Sequence, residues 1–287
     1  MSEPTFGLDD AALAALPRVF DAGLFDGQVV MVSGAGSGIG KAIAFLYARL
    51  GARLVICGRD RAKLDACEPW LRRLGSPDVL VQPTDIRRTE AIAELFDATY
   101  QRFGRLDVQV NNAGGQFPKA ALDISPKGWK AVVDNNLSGT WYMMHEAARR
   151  WRDAGRPGSI VNIVLTFQRG FPGVAHSCAA RAAVTYLSKT VAVEWAQYGI
   201  RVNCVAPGVI ESSGFAAYSP EARAKFSRGN PMLRHGNVQD IANAVLYLTG
   251  PSGEFVNGEL LNVDGGGILW GELWTIPKPA YFNAEQS

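Results

Sequence analysis

The stretch QVVMVSGAGSGIGKAIAFLYARLG, residues 28–51, joins an apolar run to an amphipathic segment through a glycine-rich turn. The apolar run predicts a strand buried on both faces, and the following segment predicts a helix that ends at Gly51. Between them, Gly34, Gly38 and Gly40 would let the backbone approach a pyrophosphate at the helix N-terminus. An ordinary tight strand–helix turn is the other interpretation, but the position directly after a buried strand favours a nucleotide site.

The same alternation of apolar runs and amphipathic segments continues along the chain. Further strands are predicted in ARLVICG, DVLVQPTD, LDVQVNNAG, GSIVNIV, IRVNCVAPG and GELLNVDGG, with helices between them. This pattern predicts the α/β class: a doubly wound parallel sheet (Rossmann-like) in a single domain. We expect an N-terminal extension over residues 1–25 and a dinucleotide-binding catalytic domain over 26–268. A C-terminal aromatic arm over 269–287 is expected to pack on its own or a neighbouring subunit.

Composition excludes several other classes of protein. The 287 residues carry a net formal charge of +2 with scattered Lys and Arg, which argues against a nucleic-acid partner. No apolar run reaches the roughly 18 to 20 residues of a membrane span, and the acidic start lacks the basic region of a secretory signal. Four cysteines and three histidines show no metal-ligand spacing. We therefore expect a cytoplasmic protein with reduced cysteines, no metal site and no membrane partner.

The end of the second predicted strand, VICGRD, indicates which dinucleotide is bound. An NAD-binding protein would carry a carboxylate there for the ribose 2′-hydroxyl, but Gly58 occupies that place and Arg59 follows it. An arginine can hold a 2′-phosphate with its planar fork of donors, and Ser37 could add a hydroxyl. The alternative is that Arg59 only caps the strand. The predicted cofactor is NADP(H).

The motifs SGAGSGIG, TDI, NNAG, NNLSGT and RVNCVAPGVI follow one another in an order and at spacings that resemble the short-chain dehydrogenase/reductase family. The resemblance covers about residues 26–268. It implies that the cofactor is contacted by the glycine loop, Arg59 and Ser37 together with Ile39, Asp85, Ile86, Asn112, Ala113, Gly114, Pro207, Gly208, Ile210 and Ser212. It also implies a homotetramer or homodimer built through two long helices, at about 126–153 and 175–198.

The family's reaction uses Asn, Ser, Tyr and Lys, and this chain departs from that set. Asn136 in DNNLSGTW matches the Asn, and Thr166 lies one step beyond the place of the family's Ser. Aligning RAAV with the family's KAAV puts Ser177 at the Tyr position and Arg181 at the Lys position, where it would bind the cofactor ribose. Because a serine hydroxyl is a far weaker acid than a phenol and arginine keeps its proton, the tyrosine mechanism of carbonyl–alcohol interconversion is disfavoured.

Two groups within the family resemble the chain further. The 2,4-dienoyl-CoA reductases also carry a small residue at this helix position, in a context similar to AHSCAARAAV. That resemblance implies reduction of a conjugated C=C through a dienolate, which needs hydrogen bonds to an oxyanion, here from Asn136, Ser177 and Thr166, more than a strong acid. Citronellol/citronellal dehydrogenase-like proteins have stretches similar to NNAGGQFP and LWGELWTIPKPAYF, which implies an alcohol or aldehyde substrate.

The leading prediction is therefore an NADP(H)-dependent oxidoreductase that reduces a conjugated C=C of an enoyl- or dienoyl-CoA-type thioester. One alternative is a terpenoid or aliphatic alcohol/aldehyde dehydrogenase that uses water, Thr166 or His176 in its proton relay. The other is a catalytically silent NADP-binding member.

Substrate contacts are expected from two regions. The predicted residues are Gln116, Phe117, Phe215 and Tyr218, of which Tyr218 could bring back a phenol. The segment 213–236 lies where the family places a substrate lid, and it contains four cations: Arg223, Lys225, Arg228 and Arg234. These cations would meet acyl-CoA phosphates or form a solvated helix face.

Overall fold

The computed structural model of the chain describes residues 7–17 and 19–270. The strands are β1 Val29–Ser33, β2 Arg53–Gly58, β3 Val79–Pro83, β4 Val108–Asn111, β5 Gly158–Ile163, β6 Ile200–Pro207, β7 Ile210–Glu211, β8 Gly236–Asn237 and β9 Leu260–Val263. The α-helices are α1 Asp10–Ala15, α2 Gly38–Ala48, α3 Arg61–Leu74, α4 Thr89–Phe103, α5 Pro126–Val133, α6 Gly139–Ala154, α7 Ala175–Trp195, α8 Pro220–Arg223 and α9 Val238–Thr249. A π-helical turn, Asp134–Ser138, joins α5 to α6.

Seven of the strands form one parallel sheet in the order β3-β2-β1-β4-β5-β6-β9, while β7 and β8 pair only with each other. The strand order reverses between β1 and β4, since Val30 of β1 is paired with Leu54 on one side and Val108 on the other. Ligands bind at such a reversal, outside the carboxyl ends of the strands. The predicted doubly wound α/β fold is confirmed.

Apolar cores lie on both faces of this sheet, as continuous apolar strands require. One core places α2, α3 and α9 against the sheet, and the other includes side chains of α4, α6 and α7. Trp151 of α6 is fully buried and donates from its indole Nε1 to the carbonyl of Leu106 at 2.7 Å. Gly158 lies directly beneath it, because a Cβ there would be 2.4 Å from the indole ring. The start of β5 is thus held against α6.

The chain before β1 packs along α2. Leu13 of α1 is 4% exposed, and Asp10 accepts a hydrogen bond from Lys41 at 2.8 Å. Towards its neighbour α9, the fully buried Tyr47 of α2 shares a hydrogen bond of 2.6 Å between its hydroxyl and that of Thr249. The domain limits 1–25 and 26–268 stay predictions. Of the predicted aromatic arm, 271–287 lies outside the described residues.

Burial keeps most thiols of the chain protonated. It raises the pKa of Cys57 and Cys67 to about 12 and that of Cys204 to about 11. The Sγ of Cys178, which is only half-buried, lies 3.9 Å from the carbonyl oxygen of Phe171. A protonated, buried thiol is a poor nucleophile, so we assign no chemistry to the first three.

Within residues 7–17 and 19–270, no helix combines the length and the apolar character needed to cross a membrane. The same part of the chain has no cluster of His, Cys, Asp and Glu that could hold a metal ion.

Candidate active site

The glycine loop after β1 has the geometry that a pyrophosphate requires. Gly34 and Gly38 have positive φ angles of 68° and 54°, which few residues other than glycine adopt. A Cβ at Gly40 would lie 2.3 Å from the carbonyl oxygen of Gly34, so only glycine fits there. Ser37 precedes α2 without capping it through its side chain. The N-terminal amides of α2 are therefore presented to the crevice, where they could hold an anion.

A cavity of about 410 Å³ extends from this loop along the ends of β2 and β3. Its wall includes the predicted cofactor residues Gly34, Ser37, Arg59, Asp85, Ile86, Ala113 and Gly114. Arg59 is exposed, and Lys63 also reaches the wall, where it lies 3.5 Å from Asp60. Arg87 donates from Nε to the Asp85 carboxylate at 2.8 Å, and this hydrogen bond lowers the pKa of Asp85 to about 2. The cavity thus combines cations with space for an adenosine.

A larger cavity, of about 700 Å³, lies at the carboxyl ends of β4, β5 and β6. It meets the first cavity at Gly114, which lines both. The predicted residues in its wall are Ile39, Asn112, Gly114, Gln116, Thr166, Arg181, Pro207, Gly208, Ile210, Ser212, Phe215 and Tyr218. Residues from most of the length of the chain therefore converge on one space, which adjoins the cavity at the glycine loop.

Asn136 lies in the π-helical turn between α5 and α6 and is fully buried. Its Oδ1 accepts from the Gly115 amide at 2.9 Å, and its Nδ2 donates to the Gly115 carbonyl at 2.8 Å. These two bonds fix the loop that follows β4. Single π turns are common at functional sites, because the extra residue re-aims a side chain. Asn136 keeps one amide hydrogen for a further acceptor.

Arg181 brings a positive charge to the junction of the two cavities. It donates from Nη1 to the carbonyl of Ile163, and its Nη2 would lie 2.2 Å from a Cβ at Gly114. Burial lowers the pKa of Arg181 to about 10, so the group is still a cation at neutral pH. Among the described residues no carboxylate forms an ion pair with it. Because Arg181 is half-buried, a positive charge there without a counter-charge is costly, and an anionic ligand would reduce that cost.

Ser177 lies one turn before Arg181 on α7, but the structure buries it completely. Its Oγ has no hydrogen-bond partner in the described chain, and it does not contribute to the wall of the 700 Å³ cavity. The neighbouring His176 accepts the Ser177 amide on Nδ1 at 2.9 Å, and its Nε2 has no partner there either. Phe117 packs edge-on against His176 at 4.5 Å rather than lining the cavity. Thr166 does line it.

The segment 213–236, called the lid segment here, contributes part of the wall of the larger cavity, including Phe215, Tyr218 and Phe226. Gln116 donates from Nε2 to the Tyr218 hydroxyl at 2.7 Å, which ties the loop after β4 to the lid. Tyr218 packs edge-on against Phe226, and Phe226 packs against Phe215, at 5.2 and 5.3 Å between ring centres. The aromatic side chains thus hold one another in place.

Apart from Arg181, the charged residues in the cavity wall differ from those that the sequence singled out. The four lid cations named above do not line it, and Arg234 instead lies 3.4 Å from Asp240. Arg169 does line it, and so does Asp264. Their positions just beyond β5 and β9, at the edge where parallel sheets bind ligands, were a signal that could have found both.

The family model described as enoyl-(acyl carrier protein) reductase matches residues 34–267, from the glycine loop to the turn after β9. The chain belongs to the short-chain dehydrogenase/reductase family. This family membership makes it an oxidoreductase and implies a nicotinamide cofactor for the crevice at the glycine loop.

Three members of the short-chain dehydrogenase/reductase family illustrate the similarity. A Bacillus subtilis (strain 168) protein named as a probable (2E)-enoyl-CoA-producing 2,4-dienoyl-CoA reductase is 36% identical over 257 residues, 88% of this chain and 98% of that protein. The peroxisomal (3E)-enoyl-CoA-producing 2,4-dienoyl-CoA reductase of Arabidopsis thaliana is 38% identical over 90% of this chain and 88% of its own. The solved structure of a citronellol catabolism dehydrogenase from Pseudomonas aeruginosa PAO1 aligns with a TM-score of 0.77 and 36% identity, covering 87% of this chain and 98% of that one.

Proposed function

We propose that the protein is an NADP(H)-dependent reductase of a conjugated C=C in an enoyl- or dienoyl-CoA-type thioester. The observation that carries this proposal is Arg181, a partly buried guanidinium that lines the cavity and has no carboxylate partner among the described residues. A site built around an uncompensated cation favours a reaction whose intermediate is an anion. The relatives named as 2,4-dienoyl-CoA reductases support the same reaction.

The residues fit such a reaction as follows. NADPH, when bound, supplies a hydride, and the far carbon of the conjugated system receives it. Negative charge then moves onto the thioester oxygen, which the positive charge of Arg181 would stabilise in addition to its predicted contact with the cofactor ribose. Asn136 lines neither cavity and would act on this oxygen by fixing the loop at Gly115. Thr166 offers a hydroxyl from the cavity wall. The donor role of Ser177 stays a prediction, because its Oγ has no partner in the described chain but the residue is fully buried and does not line the cavity.

Selection of NADP(H) follows from the charges around the adenosine cavity. Arg59 and Lys63 reach its wall beside Ser37, and Gly58 leaves no carboxylate at the end of β2. Asp60 also lines this cavity, but its carboxylate caps α3 by accepting from the Lys63 amide at 3.2 Å. A 2′-phosphate would therefore meet two cations and a hydroxyl, whereas NAD would offer them no phosphate.

Arg169 supports a coenzyme A ester as the substrate. It is exposed at the wall of the 700 Å³ cavity, and the described residues form no ion pair with it. A guanidinium in that position can bind a phosphate of coenzyme A while the acyl chain enters between the aromatic side chains.

The test is NADPH oxidation by the purified protein with 2,4-hexadienoyl-CoA and, in parallel, with citronellal. We expect NADPH to be oxidised when the thioester is present, and the product to be two mass units heavier than the thioester substrate. Oxidation with citronellal alone would refute it.

A terpenoid or aliphatic alcohol/aldehyde dehydrogenase is the second candidate, favoured by the likeness to the citronellol catabolism dehydrogenase. In that case Thr166 or His176 would take part in the proton relay. A catalytically silent NADP-binding protein would bind NADPH and oxidise it with neither substrate.

We further propose a cytoplasmic homotetramer or homodimer. On α7, Tyr186 and Val193 are 70% and 80% exposed and lie on the same face of the helix. An apolar stripe of this kind is typical of a surface that is covered by another chain. Light scattering of the wild type and of Val193→Glu tests this, with a smaller particle expected for the variant.

A further inference from the structure

The reaction proposed above also needs a proton, and few groups in the cavity wall can supply one. The Arg181 guanidinium keeps its proton at neutral pH, and the aliphatic hydroxyl of Thr166 is a far weaker acid than a phenol. Both carboxylate oxygens of Asp264 accept backbone amides, from Gly266 at 2.9 Å and Ile268 at 2.8 Å. Among the described residues that line the cavity, Tyr218 alone carries a phenol.

The Tyr218 hydroxyl is held by the loop after β4, which is itself bonded to Asn136. Its oxygen accepts the hydrogen bond from Gln116 Nε2, so its own hydrogen remains available to a partner in the cavity. Gln116 follows Gly115, whose backbone is bonded twice to Asn136. The phenol is thus linked through two residues, Gln116 and Gly115, to the side-chain amide of Asn136. An amide donor at the phenol oxygen also stabilises the phenolate that remains after proton transfer.

The ring is held as a proton donor requires. Phe226 packs edge-on against it at an interplanar angle of 82°, and Phe215, which is 6% exposed, packs against Phe226. A fixed ring loses little further freedom when the reacting atoms meet.

We propose that Tyr218 is the general acid of the reaction and that Gln116 is its positioning residue; this rests on the proposed function. After hydride has formed the new C–H bond at the far carbon, the electron pair of the enolate forms a second C–H bond with the phenol proton. The O–H bond of Tyr218 breaks, the resulting phenolate takes a proton from water, and the thioester is reduced by two electrons and two hydrogens overall. The phenol missing from α7 is in this way replaced by one from the lid.

The test compares wild type, Tyr218→Phe and the control Tyr247→Phe, whose ring is on α9 and is 40% exposed. General acids typically contribute about 10² to 10⁴ in rate, so kcat of Tyr218→Phe should fall by about 100-fold or more. NADPH affinity, measured by fluorescence, should stay as in wild type. Because protonation becomes the slow step, the solvent isotope effect in D₂O should rise while the effect of deuterated NADPH falls towards one. Tyr247→Phe should match wild type in all of these.

A second variant, Gln116→Met, removes the amide donor and leaves the phenol. It should lower kcat by less than Tyr218→Phe and move both isotope effects in the same direction. If Tyr218→Phe binds NADPH normally, keeps kcat within threefold of wild type and shows unchanged isotope effects, Tyr218 is not the general acid, while the proposed function stands. If the wild-type protein reduces no thioester, the proposed function is refuted instead. If it then reduces citronellal, the ratio of kcat between wild type and Tyr218→Phe with citronellal decides whether Tyr218 protonates the carbonyl oxygen. Reduction of neither substrate overturns both.

Discussion

Replacing Gly114 by alanine tests whether the active site depends on close approach at the junction of the two cavities. Its φ angle is in the ordinary range, so the backbone accepts an L residue. The new Cβ, however, would lie 2.2 Å from Arg181 Nη2 and 2.8 Å from Asn136 Oδ1. Ordinary contact begins at 3.4 Å, so the guanidinium has to move by about 1 Å or more.

The expected effect is larger on activity than on stability. A misplacement of about 1 Å in a catalytic group costs about 10² in rate, which corresponds to about 2.7 kcal/mol. Overpacking of this kind destabilises a fold by about 1–3 kcal/mol, which a protein of this size survives. We therefore expect Gly114→Ala to fold, to lose about 100-fold in kcat/KM with the dienoyl thioester, and to show a lower thermal midpoint.

The matched control is Gly115→Ala. A Cβ there would meet only Asn135 Nδ2, at 3.8 Å, while the backbone bonds of Gly115 to Asn136 stay in place. Steady-state kinetics of both variants, with circular dichroism to confirm folding, decide the matter. If Gly114→Ala keeps kcat/KM within threefold of the control, Arg181 and Asn136 are not held as the structure indicates.

Other consequences can be measured separately. Arg59→Ser should raise KM for NADPH about tenfold or more and leave KM for NADH nearly unchanged, because it removes a contact to the 2′-phosphate alone; equal effects on both cofactors would contradict this. Arg169→Gln should raise KM for the coenzyme A ester but not for the N-acetylcysteamine ester, which has no phosphates, and a rise for both would speak against phosphate binding. In native protein at pH 8, only Cys178 should react with a thiol reagent, with all four cysteines reacting after unfolding. Burial raises the pKa of the other three thiols, so their contribution to the free energy of unfolding is fully present below the ordinary pKa of a thiol and is lost as the pH rises towards 11 to 12. The urea concentration at the midpoint of unfolding should therefore fall as the pH is raised from the ordinary thiol pKa to 11 to 12.

The sequence predicted the fold well because each strand and helix carries a local signal. Apolar runs such as β1 are buried on both faces, and the glycines after it leave no alternative to a tight turn and close packing. The same periodicity located α7, on which Ser177 and Arg181 fall one turn apart. For this reason the residues of the cofactor crevice could be proposed from motifs alone.

Contacts between distant segments could not be predicted in the same way. No pattern in the sequence connects Gln116 with Tyr218, which are far apart in the chain and meet only when the lid folds over the loop after β4. Nor does a pattern show that Phe117 packs on His176 and that Arg169, rather than the lid cations, reaches the cavity wall. These features depend on loop conformation, which carries few local signals.

The most direct measurement of the central claim is the fate of deuterium from NADPH labelled at the transferred position. The protein is incubated with the labelled cofactor and 2,4-hexadienoyl-CoA, and the product is analysed by mass spectrometry and NMR. We expect one deuterium on a carbon of the former conjugated system, with the thioester intact. Deuterium on a carbinol or aldehyde carbon, or its appearance only when citronellal is supplied, would contradict the account.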